Sequence, residues 1–183
     1  MASQLNELRD QVARIDREIV DALAVRCRFG APAPTPKATP PTTGADPLTA
    51  RVESEYVRML TEQMPCQTGA TTDASACAAA DRTLTAAVRR RLGVALEIAR
   101  AKEASQTPQF RALVAARDAK GLEQAITQPA VEEQVIARVR TAARERFAEG
   151  LPVRFADTVT AIYRDWIIPL SRRVQVERLL GDR

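Results

Sequence analysis

Apolar residues in this chain recur at spacings of three and four, and almost nowhere at a sustained spacing of two. Over residues 3–29, Leu5, Leu8, Val12, Ile15, Ile19 and Leu23 make one stripe, which a 3.6-residue repeat lays along a single helix face. Charged residues fill the opposite face, and Gly30 followed by Pro32 stops the pattern. The spacing returns over 80–105 (Leu84, Val88, Leu92, Ala95, Ile98, Ala99) and from Pro129 to about 148 (Val131, Val135, Val139, Ala142). It returns again over 153–180, through Phe155, Val159, Ile162, Trp166, Ile167, Leu170 and Val174. Shorter helices are expected over 48–64 and 108–119, with Gly121 breaking the pattern after the second. Pro169 falls inside the last helix and predicts a bend, because its ring crowds the carbonyl four residues back. With seven glycines and only 4% aromatic residues, Ala, Val, Leu and Ile must fill the core. The fold expected is all-α, a helical bundle.

Two stretches stand apart from the bundle. Residues 30–47 contain six prolines and read as an extended, exposed linker. Residues 65–79 read as a loop of small residues bracketed by Cys66 and Cys77, a pair that could bond in an oxidising compartment. Cys27 reads as a small buried or helix-end residue. The chain thus divides into a first bundle helix (1–29), an insertion (30–79) and the remainder of the bundle (80–183).

Composition removes whole classes of chemistry. There is no histidine, so Ser-His-Asp hydrolysis, Cys-His chemistry and the zinc-protease helix are excluded. Three cysteines cannot make a four-cysteine zinc site, and no glycine-rich phosphate loop is present. Neither a metal nor a cofactor is expected. The net charge of +4 comes from arginines that mostly alternate with Asp, Glu or Ala, the pattern of solvated helix faces. Without a basic block or an aromatic platform, nucleic acid is not an expected partner. No apolar run approaches the ~20 residues of a membrane span, and the opening MASQLNELRD lacks an apolar signal core. These features read as cytoplasmic; removal of a signal would make the chain periplasmic or secreted.

Arg91 and Lys102 are eleven residues apart, about three helical turns, so both project from nearly one face some ~16 Å apart along the axis. Long side chains at that distance can converge on a ligand between them.

Residues 8–26 (LRDQVARIDREIVDALAVR) resemble the first helix of the all-helical chorismate mutases, which reads L-R-x-x-I-D-x-I-D-x-x-I-[VL]-x-L-[LI]-x-x-R. Residues 84–102 (LTAAVRRRLGVALEIARAK) resemble its continuation, with an arginine eleven residues before a lysine, and also the corresponding helix of the exported branch. Residues 131–139 (VEEQVIARV) are similar to the family's second helix, with Glu132 in its glutamate position. Residues 167–175 (IIPLSRRVQ) are similar to its closing motif, in which serine precedes glutamine by four. The four stretches fall in the family's order.

The resemblance implies a cofactor-free isomerase of the shikimate pathway to aromatic amino acids. It would hold the dianion chorismate in a compact shape while it rearranges to prephenate. Arg91 would clamp a carboxylate, Lys102 and Gln175 would donate to the ether oxygen, Glu132 would bind the ring hydroxyl and Ser171 the ring carboxylate. Arg9 corresponds to the arginine that crosses into the partner's site in dimeric members, and a homodimer is expected. Either Arg26 or Arg91 can hold the central arginine position; the spacing to Lys102 favours Arg91. Gln128 stands where the family often has aspartate. Plainer roles stay open: Ser171 bonding to a carbonyl of its own helix, Gln175 as a helix former, Glu132 as a first-turn charge, and Arg9 and Arg26 pairing with neighbouring carboxylates. So do an isochorismate-pyruvate lyase, an aminodeoxychorismate mutase and a non-catalytic helical module.

Overall fold

A computed structural model describes residues 2–28, 51–56, 59, 73–104, 107–146 and 150–181. The Pro-rich stretch 30–47 and Cys66 lie outside the described residues. Every regular element within them is helical. Helix α1 spans Ala2–Arg28 and α2 spans Ala74–Ala104. Their ion pairs show how they run: Arg26 meets Asp81 at one end, and Arg91 meets Asp16 nearer the other. One number falls as the other rises, so the two helices form an antiparallel pair. The apolar stripes expected from sequence face each other across it, with Ile19, Leu23, Leu84, Val88 and Leu92 at 1% exposure or less.

Helix α2 begins six residues earlier than expected, and Cys77 lies within it rather than in a loop. Asp73 Oδ1 accepts from the N–H groups of Ser75 and Ala76, which caps the first turn. The alanines that follow have the highest helix propensity of any residue. Cys27 and Cys77 are thiols, the first half-buried and the second buried. Burial pushes the Cys27 thiol up to about 11, against the pull of neighbouring Arg26.

The 108–119 region becomes two helices, α3 (Pro108–Ala115) and α4 (Ala119–Ile126). Gly121 does not break the chain as the sequence suggested; it sits in the first turn of α4, where its N–H bonds to the capping Asp118 Oδ1 at 2.9 Å. A Cβ there would lie 2.4 Å from Asp118 Oδ2 and 2.6 Å from Leu113. Both atoms are the ends of side chains, so a Cβ here would have to displace Leu113 and the capping carboxylate. Arg117, at φ 52°, makes the reversal between the two helices.

Helix α5 covers Pro129–Glu145. The closing helix runs as α6 (Phe155–Ile162), a π-helical turn (Tyr163–Ile167) and α7 (Ile168–Leu180). The wide turn lies immediately before Pro169, where the missing N–H and the ring would otherwise disturb a regular α-helix. Gly181, at φ 68°, ends α7 in the left-handed region. Residues 51–56 and Met59 are also helical, with Val52, Tyr56 and Met59 buried; the rest of the 48–64 segment lies outside the described residues. The main core joins α1, α2, α5, α6 and α7. A second cluster (Ala99, Leu122, Ile126, Val176, Leu179) fixes α4 against the ends of α2 and α7. No helix among the described residues is long and apolar enough to cross a membrane.

Candidate active site

Between α1, α2, α5 and α7, with the end of α4 at one side, lies a cavity of about 480 Å³. Its walls follow from helical spacing. From α2 come Arg91, Ala95, Ile98 and Lys102; from α7 come Ile168, Ser171, Arg172 and Gln175. Each set steps by three or four and so shares a face, apart from the adjacent pair Ser171 and Arg172. Helix α1 contributes Leu5, Arg9, Asp10, Val12 and Ala13, and the start of α5 contributes Gln128, Val131, Glu132, Val135 and Arg138. Seven of the eight residues singled out from sequence thus line one hollow: Arg9, Arg91, Lys102, Gln128, Glu132, Ser171 and Gln175.

Arg91 is buried at the back of the cavity. Its Nε donates to Asp16 Oδ1 at 2.7 Å, its Nη1 donates to Ser171 Oγ at 2.5 Å, and its guanidinium lies 5.7 Å from the centre of the Tyr163 ring. Burial works most strongly against the charge, but Asp16 and Tyr163 together more than offset it and hold the guanidinium above its ordinary pKa. The Ser171 hydroxyl donates in turn to Ile167 O at 2.7 Å. The plain reading of a serine bonded within its own helix is therefore correct, and the same oxygen also steers Arg91.

Lys102 Nζ donates to Ile126 O at 3.1 Å, at the last residue of α4. Burial lowers its pKa and the charge of Arg9 lowers it further, while Glu132 acts in the opposite direction. Gln175 Nε2 donates to Ser171 O at 3.2 Å, and its buried Oε1 has no hydrogen-bond partner among the described residues. Glu132 Oε1 lies 3.3 Å from Arg172 Nε. Gln128 occupies the N-cap of α5 but makes no side-chain capping bond, so its amide is not consumed by the helix end.

Arg26 is not brought into the cavity. It is 6% exposed, and its Nε donates to Asp81 Oδ1 at 2.7 Å, an oxygen that also accepts from the Tyr56 hydroxyl at 2.5 Å. This cluster ties α1 and α2 to the 51–56 segment. Of the two arginines that could take the central position, the structure puts Arg91 in the hollow and Arg26 in a structural pair.

Residues 75–176, more than half of the chain, match the family model described as chorismate mutase type II. The chain belongs to the chorismate mutase type II family. Among curated relatives, it is 33% identical over 98 residues to chorismate mutase of Schizosaccharomyces pombe, an alignment that covers 50% of this chain and 39% of that protein. It is 35% identical over 106 residues to chloroplastic chorismate mutase 1 of Petunia hybrida, covering 51% and 32%. The aligned regions thus span well under half the length of these relatives. Aro7p chorismate mutase from Candida albicans, solved in complex with L-Trp, has the same fold: TM-score 0.74 at 20% identity, over 96% of this chain and 90% of that one.

The type II frame contains four further polar residues that the sequence did not single out. Asp16, 1% exposed, accepts from Arg91, from Arg138 Nη2 at 2.7 Å and from the Tyr163 hydroxyl at 3.1 Å. Arg138 and Arg172 line the cavity directly. Nothing in the apolar spacing marks Asp16 among the other carboxylates of α1. The signal that could have marked it is the family motif, since Asp16 falls on the last aspartate of the L-R-x-x-I-D-x-I-D pattern that residues 8–26 resemble. The cavity's cations are Arg9, Arg91, Lys102, Arg138 and Arg172; its carboxylates are Asp10 and Glu132, with Asp16 directly behind the wall. With Lys102 protonated the surplus is two positive charges, the complement of a small dianion.

Proposed function

We propose that the protein is a chorismate mutase, an isomerase that converts chorismate to prephenate. The observation that carries this reading is the meeting of Arg9, Arg91, Lys102, Glu132, Ser171 and Gln175 around one cavity whose charge surplus matches a dicarboxylate. In the reaction one C–O ether bond breaks as one C–C bond forms, in a single concerted step with no proton or leaving group to dispose of. The protein has two tasks. It must hold the substrate in its compact conformer, and it must stabilise the negative charge that grows on the ether oxygen.

Arg91 is suited to the first task. Asp16 and Ser171 engage Nε and Nη1, and no acceptor among the described residues engages Nη2, so a substrate carboxylate meets a donor whose direction is already fixed. Arg9, at the open side, neutralises the second carboxylate. Lys102 and Gln175 are suited to the second task. Lys102 carries three donors on a flexible stem, and Gln175 has a second N–H beyond the one given to Ser171 O. The ring hydroxyl is assigned to Glu132, with Gln128 beside it. Each subunit of a homodimer, the assembly this reading includes, would hold a cavity lined by its own residues; sedimentation at micromolar concentration checks that arrangement.

The test is consumption of chorismate with formation of prephenate, for the wild-type chain and for Lys102→Ala. A single lost transition-state donor costs roughly a hundredfold or more in rate. Isochorismate and aminodeoxychorismate are run in parallel. Release of pyruvate from isochorismate with chorismate untouched would overturn the mutase reading in favour of a lyase, and turnover of none of the three would indicate a binding module.

A further inference from the structure

We propose that Arg172 is a positioning residue of this site, holding the Glu132 carboxylate in the orientation in which it receives the substrate's ring hydroxyl. The inference rests on the mutase reading above.

Arg172 follows Ser171 on α7 and stands four residues after Ile168, so its side chain emerges on the face that lines the cavity. From there it reaches two other helices. Its Nε is 3.3 Å from Glu132 Oε1 on α5, and its Nη1 is 3.8 Å from Glu123 Oε1 on α4. Arg172 and Glu132 are each about three-quarters buried, whereas Glu123 is mostly exposed. The Glu132 contact is therefore the stronger of the two, since water screens the other.

Two features make this more than a surface pair. The contact engages only one oxygen of Glu132; among the described residues Oε2 has no hydrogen-bond partner and is left for a ligand. The Arg172 Nε is buried and has no aligned hydrogen-bond partner among the described residues, although the Glu132 oxygen is within ion-pair distance. A buried N–H of this kind is retained at a cost, and here it lies in the wall of the cavity, where a modest rotation of Glu132 upon binding would align it. Without Arg172, Glu132 would be a single flexible carboxylate facing a dianion, free to turn away from the like charge. With Arg172 beside it, the carboxylate is neutralised and directed, and the hydroxyl can be bound without repelling the two carboxylates.

The hydroxyl bond is made in the bound substrate and in the transition state alike, so its loss appears mainly in KM. The full chain is assayed with chorismate as Arg172→Gln, Arg172→Lys, Glu132→Gln and the Arg172→Gln/Glu132→Gln double variant. Arg172→Gln is expected to raise KM about tenfold, the size of one charge-assisted hydrogen bond, with a smaller change in kcat. Arg172→Lys should recover part of the loss, since the charge returns without the fork. In the Glu132→Gln background, Arg172→Gln should add less than about twofold, because the residue it acts through is already gone. Additive losses would show that Arg172 acts on the dianion or on folding independently of Glu132 and would overturn the inference, as would a wild-type KM in Arg172→Gln. A wild-type chain inert toward chorismate overturns the mutase reading and this assignment with it; an active wild type with unchanged Arg172→Gln overturns only the assignment.

Discussion

The Nε of Arg91 lies 2.7 Å from Oδ1 of Asp16, and the two side chains are only 7% and 1% exposed. The same carboxylate accepts from Arg138 through its other oxygen and from the Tyr163 hydroxyl. Asp16 thus fixes the position of two cavity cations from behind the wall, and it makes the burial of Arg91 tolerable. A guanidinium removed from water without a counter-charge is strongly unfavourable, whereas a paired and hydrogen-bonded one is not.

Asp16→Asn should therefore cost both stability and activity. The amide keeps the size of the side chain but leaves Arg91 buried without its counter-charge, a change of roughly 3–5 kcal/mol. Urea denaturation should show that loss. At temperatures where the variant remains folded, kcat/KM should fall at least tenfold because Arg91 is no longer aimed. A variant within about 0.5 kcal/mol of wild type, the range of ordinary surface substitutions, would show that Asp16 is not the counter-charge described.

Arg26 and Arg91 offer a direct contrast, since both are buried arginines paired to aspartates and only one lines the cavity. Arg26→Ala should destabilise the fold by roughly 2–4 kcal/mol, somewhat less than the ~3–5 kcal/mol for breaking a fully buried pair, because Asp81 keeps some solvent and its bond from Tyr56. The folded fraction should turn over chorismate within about threefold of wild type. Arg91→Ala should lose activity by a hundredfold or more. Comparable kcat/KM losses in both variants would return Arg26 to the site.

The main helices were legible in the sequence for a physical reason, the recurrence of apolar residues at three and four; the candidate site residues came instead from the likeness of four stretches to the chorismate mutase helices, and the antiparallel pairing of α1 and α2 emerged only with the structure. Apolar residues at three and four must share a face, and Arg91 and Ser171 interrupt such faces and end up buried against one another, whereas Arg9 and Gln128 stay exposed and no spacing marks them. What was not legible depended on tertiary contact. Gly121 reads as a breaker until Asp118 caps its N–H in the first turn of α4. The first turn of α2 reads as loop until Asp73 caps it. The π turn before Pro169 relieves a strain that the sequence announces without saying how. Arg172 and Arg138 look like any other helix arginine, and only the packing of α7 and α5 around the hollow distinguishes them.

Lys102 should set the alkaline limit of the reaction. Its pKa lies below the ordinary lysine value of ~10.4, chiefly through burial and then through the charge of Arg9. The protonated form is the donor, so kcat/KM, which reports the free protein, should fall as pH rises through that lowered pKa. Arg9→Gln removes one of the two lowering causes. In that variant Lys102 stays protonated to higher pH, so the alkaline limb should move upward even though kcat/KM near neutrality drops with the lost cation. A pH series from 6 to about 10.5 on both proteins checks the direction. A limb that stays fixed or moves downward would remove Lys102 as its source.

Gln175 bears on the acidic and neutral range. An amide donates at every pH, so wild-type kcat/KM should be flat between roughly pH 6 and the Lys102 limb. In Gln175→Glu the side chain can donate to the ether oxygen only while protonated; once ionised, it places a negative charge beside a dianion. Its surroundings favour the neutral acid: Gln175 is half-buried, and Ser171 O is within reach as an acceptor. Burial and that hydrogen bond should raise the new carboxyl above the ordinary value of ~4.3 for glutamate. The variant should approach wild-type kcat/KM at the acidic end. It should then lose about tenfold per pH unit above its carboxyl pKa, until a floor set by Lys102 and Arg91 alone. A pH profile for Gln175→Glu parallel to that of wild type, at any level of activity, would mean that residue 175 does not touch the ether oxygen and that Lys102 stabilises the growing charge without it.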